Sequence, residues 1–276
     1  MTLDGVSTTD ELLERFGYLT TEFGQRYDRV RPRPPAALPS SILEMLGRTR
    51  LETVVDLGCG TGLSSEIWLD HSEHVTGIEP SEAMGRVARD VRGIDTIMAT
   101  AEETTLAANS VDLVTSSNSI TWFDPDLLYV ELDRILRPAG AFCVYYNSWP
   151  PRTLSVVEVA FADHVERIDS FVGRKGGGAH TDIKAAHERL VDDIVTSGVF
   201  ETVETFSLEN SQNYDAARLL GLARSSGTVD RLLREGRTES ELGLPQLYQT
   251  ALAEFGEVDE IPLHFTFSVT IARRGF

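Results

Sequence analysis

Cysteine, long apolar segments and basic residues are all scarce in this sequence of 276 residues. Its two cysteines, Cys59 and Cys143, cannot build a disulfide framework and are too few for a zinc cluster. We therefore expect reduced thiols, no bound metal and a cytoplasmic protein. No apolar run approaches the roughly 20 residues that span a bilayer, and the first residues lack the basic and apolar regions of a secretory signal. We expect no membrane association.

The charge balance is strongly acidic, with 43 Asp and Glu against 25 Lys and Arg and a formal net charge of -18. Proteins that grip nucleic acid through its phosphates need a clustered basic face, so we expect no nucleic-acid partner. The acidic excess indicates a solvated acidic surface. It does not determine the charge of a substrate, although weak steering of cations is the second interpretation.

The middle of the chain alternates short β-branched runs with helix-like stretches. The predicted strands are "ETVVDLG", "HVTGIEP", "DTIMAT", "SVDLVTSS" and "GAFCVYY", and the predicted helices are "SSEIWLD", "SEAMGRVARDV" and "PDLLYVELDRIL". Alternation at this spacing indicates βαβ units and a mainly parallel sheet. Two later segments, "FETVETFSL" and "IPLHFTFSVTIA", predict an antiparallel pair at the edge of that sheet.

These patterns divide the chain into four regions. Residues 1–45 form an N-terminal helical segment, 46–149 the central sheet, 150–198 a helical insertion that caps the site, and 199–276 the rest of the sheet with its helices.

Within the N-terminal segment, Thr8 and Glu11 predict a capping box, while Gly17 and Gly24 predict breaks between shorter helices. The prolines of "RPRPP" end the segment because proline cannot continue a helix.

The segment "VVDLGCGTG" is the most informative motif of the sequence. Gly58, Gly60 and Gly62 follow a strand directly, so the backbone can approach a ligand closely and turn into a helix. Their spacing differs from the G-x-G-x-x-G of dinucleotide-binding folds. Asp56 precedes them, and its carboxylate would repel a pyrophosphate but attract an ammonium or sulfonium group. A nicotinamide oxidoreductase is therefore disfavoured.

The next predicted strand ends in "VTGIEPS", which places Glu79 beside the glycine motif. An acidic residue at this position can accept hydrogen bonds from both hydroxyls of a ribose.

With these motifs the chain resembles the class I S-adenosylmethionine-dependent methyltransferases. "VVDLGCGTG", "GIEPS", "ATAEE" and "LDRILRPAG" match successive family motifs between Thr53 and Tyr146. "YDRVRPRPP" and "LARSSGTVDRL" are similar to segments of a small-molecule branch that includes trans-aconitate methyltransferase. The resemblance implies an α/β, Rossmann-like, doubly wound sheet of seven strands with an antiparallel edge strand. It also implies S-adenosyl-L-methionine as cofactor and S-adenosyl-L-homocysteine as product.

The resemblance also implies which residues bind the cofactor. The glycine backbone would hold the methionine portion with Asp56 nearby, and Glu79 would bind the ribose. The adenine would lie against Pro80, Met84, Ala101 and Glu102, although Met84 is equally a core residue and Glu102 is alternatively a surface charge. The complete expected set is Asp56, Gly58, Cys59, Gly60, Gly62, Glu79, Pro80, Met84, Ala101, Glu102 and Asn118.

The acceptor side should be built at the carboxyl ends of the fourth and fifth strands. Related sequences carry Q-x-x-H-W-F after the fourth strand, where this chain has Asn118 and Thr121 in place of the glutamine and histidine. The missing histidine puts a general base there in doubt. The residues expected to act on the acceptor are Thr121, Trp122, Tyr27 and His164. The arginines of "QRYDRVRPRP" bind a carboxylate in one interpretation and are solvated in the other.

The resemblance implies methyl transfer by in-line displacement to a small organic acceptor, at carbon, nitrogen or oxygen, for example an indole-like aromatic. Two alternatives stay open: a carboxyl O-methyltransferase of the trans-aconitate type, and an inactive protein that binds the cofactor. The expected partner is the small-molecule acceptor, with the protein acting as a monomer or a homodimer.

Overall fold

The computed structural model describes residues 18, 20–153, 155–173, 189–256 and 260–275. The capping box at Thr8 and Glu11 and the break at Gly17 lie outside these residues and stay predictions.

Seven strands form one sheet in the order β3-β2-β1-β4-β5-β7-β6. The strands are β1 (Leu51–Leu57), β2 (Ser72–Ile78), β3 (Asp95–Ile97), β4 (Val111–Ser117), β5 (Leu136–Asn147), β6 (Thr202–Tyr214) and β7 (Ile261–Arg273). All pairs among β1 to β5 are parallel, and β7 is antiparallel to both β5 and β6. The predicted Rossmann-like sheet is confirmed, with the antiparallel β7 inserted between β5 and the edge strand β6.

Helices surround this sheet, and none of those that the structure describes is long and apolar enough to cross a membrane. They are α1 (Thr21–Val30), α2 (Leu38–Leu46), α3 (Glu82–Arg92), α4 (Pro125–Ile135), α5 (Val156–Phe171), α6 (Ala216–Arg224), α7 (Gly227–Arg234) and α8 (Leu244–Phe255). Residues 189–197 are helical as well. Ser81 and Asp124 cap α3 and α4, because their side-chain oxygens accept backbone amides of the first turn.

The predicted helix "SSEIWLD" is wrong, since this segment contains only a 3₁₀ turn, Glu66–Trp68. Its two serines are held in another way: the Ser64 and Ser65 hydroxyls donate to Asp56 Oδ2 at 2.5 and 2.6 Å. Serine side chains that find such partners compete with helix formation.

The predicted helix break at Gly24 is also wrong, because Gly24 lies buried inside α1. A Cβ atom at this position would stand 3.1 Å from Val87 Cγ2 and 3.3 Å from Met84 Sδ, both on α3. Glycine is needed here for close helix packing.

The core covers both faces of the sheet, and α5 belongs to it. Val157 and Phe161 of α5 are each 1% exposed and pack in the larger hydrophobic cluster. The Phe161 ring meets Trp149 edge-on with centroids 5.1 Å apart. Of the described helical segments in the predicted cap, α5 is therefore a core helix.

Candidate active site

The glycine loop, residues 58–62, follows β1 in the chain and lies beside the end of β2. Gly58 and Gly60 have φ of 63° and 57°, in the left-handed region that favours glycine. A Cβ atom on Gly58 would lie 2.7 Å from Ser119 Cβ. The Gly58 amide donates to the Ile78 carbonyl at 2.8 Å. The loop is therefore pressed between β2 and the segment that follows β4.

Gly62 packs closely against α3 and Ile94. It lines neither of the two cavities described below, and its Cβ would approach Ile94 Cδ1 at 2.9 Å and the Ala88 methyl at 3.1 Å. Gly62 thus makes room for α3 under the loop. The contact of Gly62 with the cofactor stays a prediction.

Asp56 also departs from its predicted place. It is fully buried and lines neither cavity. Besides Ser64 and Ser65, the Thr115 hydroxyl donates to its Oδ1 at 2.8 Å. Burial raises the pKa of Asp56, and these three hydroxyls act against the rise. The carboxylate is turned into the protein, where it ties β1 to β4 and to the turn after the glycine loop.

Glu79 lies at the end of β2 and lines the first cavity, as the sequence predicts. Its Oε2 accepts the Gly60 amide and its Oε1 accepts the Ser81 amide, both at 2.9 Å. It is 8% exposed, and burial raises its pKa to about 7. Because each carboxylate oxygen has a second lone pair, Glu79 can still accept hydroxyl donors from a ligand.

The first cavity includes about 880 Å³ of space that no protein atom fills, part of it open to solvent. Its lining combines residues that were predicted to bind the cofactor with several aromatic side chains. It is lined by Tyr18, Tyr27, Gly58, Gly60, Glu79, Pro80, Met84, Thr100, Ala101, Glu102, Ser117, Asn118, Ser119, Trp122 and Phe123. Met84 and Ala101 are 4% and 3% exposed, so both serve the core and the cavity wall. Glu102 also accepts the Asp124 amide at 2.8 Å.

A second cavity also borders the glycine loop and includes about 510 Å³ of space, part of it open to solvent. It shares Tyr27, Gly58, Gly60, Ser117 and Asn118 with the first. Its further lining residues are Arg31, Pro32, Pro34, Cys59, Thr61, Leu63, Ser64, Asn147 and Phe267. Two polar atoms of this lining are buried with no hydrogen-bond partner among the described residues, Arg31 Nε and Thr61 Oγ1. The predicted Cys59 belongs to this cavity.

The arginine that lines the second cavity is held by three parts of the chain. The Arg31 guanidinium carbon stands 4.6 Å from the Tyr27 ring centroid and 5.6 Å from that of Trp149. Its Nη2 donates to the Ser225 carbonyl at 3.2 Å. A guanidinium between two rings is oriented rather than free in solvent.

The polar residues after β4 divide into two groups. Ser116 and Ser119 bond to each other at 2.9 Å, and Ser119 Oγ donates to the Leu57 carbonyl at 2.8 Å, so this pair braces the end of β1. Asn118 instead faces both cavities with φ of 56°. Its Nδ2 donates to Asn147 Oδ1 at 3.1 Å, and the Asn147 amide donates back to Asn118 Oδ1 at 3.3 Å.

Two of the residues expected to act on the acceptor line neither cavity. Thr121 lies in the 3₁₀ turn Ile120–Trp122 but lines neither cavity, whereas Trp122 does. His164 is 3% exposed on the core helix α5 and also lines neither cavity. Its Nδ1 is 2.7 Å from the Leu242 carbonyl, and burial lowers its pKa.

Tyr18 and Tyr27 of the N-terminal segment line the first cavity. The Tyr18 ring meets Phe23 and Trp122 edge-on, at 5.3 and 6.1 Å between centroids. The Tyr18 carbonyl also accepts the Ser81 hydroxyl. Burial raises the pKa of the Tyr18 phenol. Tyr18 therefore lines the cavity as a neutral ring.

Comparison with known proteins agrees with this geometry. A model of the methyltransferase domain family matches residues 55–144, the span from β1 to β5. The yeast protein CRG1 from Saccharomyces cerevisiae, named as a probable S-adenosylmethionine-dependent methyltransferase, is 31% identical over 147 residues, which cover 50% of each chain. Residues 55–144 therefore match a methyltransferase domain.

A further relative is named for the acceptor that it methylates. Malonyl-[acyl-carrier protein] O-methyltransferase of Enterobacter lignolyticus is 34% identical over 119 residues, 42% of this chain and 45% of that protein. The chain spans about half the length of the curated relatives that it matches. A solved structure from Anaeromyxobacter dehalogenans, named as a candidate type II methyltransferase, has a TM-score of 0.66 and 25% identity and covers 89% of this chain and 97% of its own.

The cavities are also lined by several residues that the sequence analysis did not single out. Thr61, Thr100 and Phe267 line a cavity although no role was assigned to them. Thr61 and Thr100 lie inside the quoted motifs "VVDLGCGTG" and "ATAEE", so their positions were available as a signal. Phe267 comes from β7, far along the chain, and only the pairing of β7 with β5 brings it to the site.

Proposed function

We propose that this chain is an S-adenosylmethionine-dependent methyltransferase that acts on a small organic acceptor. The main support for the proposal is the position of Glu79. This buried carboxylate accepts a hydrogen bond from the glycine loop and lines a cavity that aromatic rings also line. A carboxylate beside a glycine loop suits a ribose, and an aromatic wall suits an apolar or cationic neighbour.

The described residues fit the adenosine part of the cofactor. Glu79 would accept the ribose hydroxyls, and the backbone at Gly58 and Gly60 leaves a surface that any Cβ atom would narrow. The adenine would lie between Pro80 and Met84 on one side and Ala101 on the other, since all three line the first cavity.

The second cavity fits the methionine part. A carboxylate there would meet Arg31, whose Nε has no hydrogen-bond partner, and the Thr61 hydroxyl, which is also unpartnered. Buried polar atoms that lack partners cost free energy, and a ligand that supplies partners recovers it. We assign the second cavity to the methionyl carboxylate, with Tyr27 and Asn118 at the junction of the two cavities.

When bound, the cofactor supplies a methyl group activated by a sulfonium. The residues of this chain hold the acceptor in line with it and exclude water, and positioning of this kind can contribute much of a rate enhancement. The carboxylates lining the cavities, Glu79 and Glu102, both accept backbone amides. The described lining holds no histidine. This favours an acceptor that needs little deprotonation, with Tyr18, Trp122 and Phe123 around it.

Two acceptor classes fit these walls. An electron-rich aromatic acceptor, such as an indole-like ring, would pack against Tyr18 and Trp122. A carboxylic acid is the alternative: it is already ionised, and Arg31 is an oriented cation in the second cavity. The similarity to malonyl-[acyl-carrier protein] O-methyltransferases supports this second class.

One experiment tests the proposal and separates these classes. The protein is incubated with S-adenosylmethionine labelled in the methyl group and a panel of small aromatics, amines and carboxylic acids, and label in the product is measured. Transfer to any panel member supports the proposal, and the chemical class of that member decides between the alternatives. Tight S-adenosylhomocysteine binding by calorimetry without transfer would favour an inactive cofactor-binding protein. Binding of NAD instead of S-adenosylhomocysteine would refute the proposal.

A further inference from the structure

Arg92, the last residue of α3, joins three parts of the chain that surround the glycine loop. Its side chain is 1% exposed. Its Nη1 lies 2.7 Å from Asp28 Oδ1 on α1 and donates to the Thr61 carbonyl of the glycine loop at 3.0 Å. Its Nε lies 3.2 Å from Glu66 Oε2. One guanidinium thus connects α1, the glycine loop and the turn that follows it.

The residue next to Asp28 is Tyr27, which lines both cavities. Holding Asp28 against Arg92 therefore also holds the backbone of Tyr27, whose side chain lines the same two cavities as Gly58 and Gly60. Because the arginine fork presents several donors in a rigid plane, it can hold the helix and the loop together in one geometry.

Two further contacts agree with this docking of α1. Gly24 lets α1 approach α3, as described above. On the other side, a Cβ atom on Gly221 of α6 would lie 2.7 Å from Val30 Cγ1. Close packing fixes where α1 crosses its neighbours, and the Asp28–Arg92 ion pair fixes it relative to the glycine loop.

We propose that Asp28 and Arg92 are positioning residues that hold the Tyr27 helix against the glycine loop and so set the affinity for the methionine part of the cofactor. They act through Tyr27 and Thr61, not by touching ligand. The inference rests on the proposed function, since it assumes that the cavities bind S-adenosylmethionine.

The test compares Asp28→Ala and the milder Arg92→Lys with two controls. Arg26→Gln is on the same helix and removes an exposed partner of Asp230 at 4.0 Å. Arg86→Lys changes an exposed arginine on α3 that pairs with Glu82 at 3.6 Å. Calorimetry measures binding of S-adenosylhomocysteine and of adenosine, which lacks the methionine part. Hydrogen exchange is followed in the ligand-free proteins.

We expect Asp28→Ala to weaken S-adenosylhomocysteine binding at least fivefold more than adenosine binding, and Arg92→Lys to do so by a smaller factor. Residues 21–30 should exchange faster in both variants, while 125–135 should not change. The controls should match the wild type. Equal losses for the two ligands, or unchanged exchange in 21–30, would overturn the positioning role. If the wild type bound neither ligand, while residues 21–30 still exchanged faster in the two variants, the proposed function would be refuted instead.

Discussion

Glu79 Oε2 accepts a hydrogen bond from the Gly60 amide at 2.9 Å, so the carboxylate that faces the first cavity also anchors the glycine loop. The contact joins the segments that follow β1 and β2 at the carboxyl ends of these parallel strands. Open α/β sheets bind their ligands at this edge. Ligand affinity and loop geometry should therefore respond together when Glu79 is changed.

We expect Glu79→Ala to weaken S-adenosylhomocysteine binding at least tenfold. A hydrogen bond to a charged group contributes about 1.5–3 kcal/mol, and each 1.4 kcal/mol corresponds to about tenfold in affinity. Calorimetry measures the dissociation constant. Glu82→Gln, a half-exposed carboxylate at the start of α3, is the control and should bind normally. An unchanged constant for Glu79→Ala would remove Glu79 from the ribose site.

Binding should also depend on pH through Glu79. Burial raises its pKa to about 7 in the protein without ligand. Ribose hydroxyls donate to the ionised form, so binding lowers this pKa, and affinity should increase as pH rises toward 7 and then level off. As pH falls below 7, the dissociation constant should increase by up to about tenfold for each pH unit.

Glu79→Gln is the control for this pH profile. Glutamine keeps one acceptor oxygen but does not titrate, so its profile between pH 5.5 and 8 should be flat. A wild-type profile that is equally flat would contradict the assignment of the ionised carboxylate to the ribose.

Arg31→Gln should separate the two possible sources of a carboxylate. If Arg31 binds the methionyl carboxylate, S-adenosylhomocysteine binding should weaken at least tenfold, while 5′-methylthioadenosine, which has no carboxylate, should bind as before. Arg29→Gln on the exposed face of α1 is the matched control. Unchanged S-adenosylhomocysteine binding together with a raised KM for a carboxylic acid acceptor would place Arg31 on the acceptor instead.

The sequence predicted the sheet and several residues that line the first cavity, because both depend on local signals. Strand periodicity and glycine spacing are readable within a few residues, and Gly58, Gly60 and Glu79 all face the first cavity. His164 shows a signal that was missed. It shares a helical face with Val157, Phe161 and Ile168, and this apolar spacing indicates a core position.

Other residues could not be placed from local patterns. Asp56 finds Thr115 on a neighbouring strand, which is remote in sequence. Thr121 and Trp122 are adjacent, but the 3₁₀ turn leaves only Trp122 in the lining. A side chain's direction in such a turn depends on tertiary packing, so motif position alone does not determine it.

The inward orientation of Asp56 leads to a prediction that opposes its expected contact with the cofactor. Asp56→Ala leaves the hydroxyls of Ser64, Ser65 and Thr115 without their buried acceptor. Unpaired buried polar groups of this kind destabilise a protein by about 2–4 kcal/mol in total. We expect a lower free energy of unfolding in urea, whereas the dissociation constant for S-adenosylhomocysteine, measured on the folded variant, should change less than threefold.

Asp56→Asn is the matched variant for this prediction. It keeps one acceptor oxygen and the volume of the side chain, so it should lose less stability than the alanine variant while leaving binding unchanged. The opposite pattern, normal stability with binding weakened tenfold or more in both variants, would return Asp56 to the cofactor. Among the described residues, the Asp56 side chain accepts hydrogen bonds from three hydroxyls and lines neither cavity. We therefore expect its substitution to lower the free energy of unfolding rather than the affinity for the cofactor.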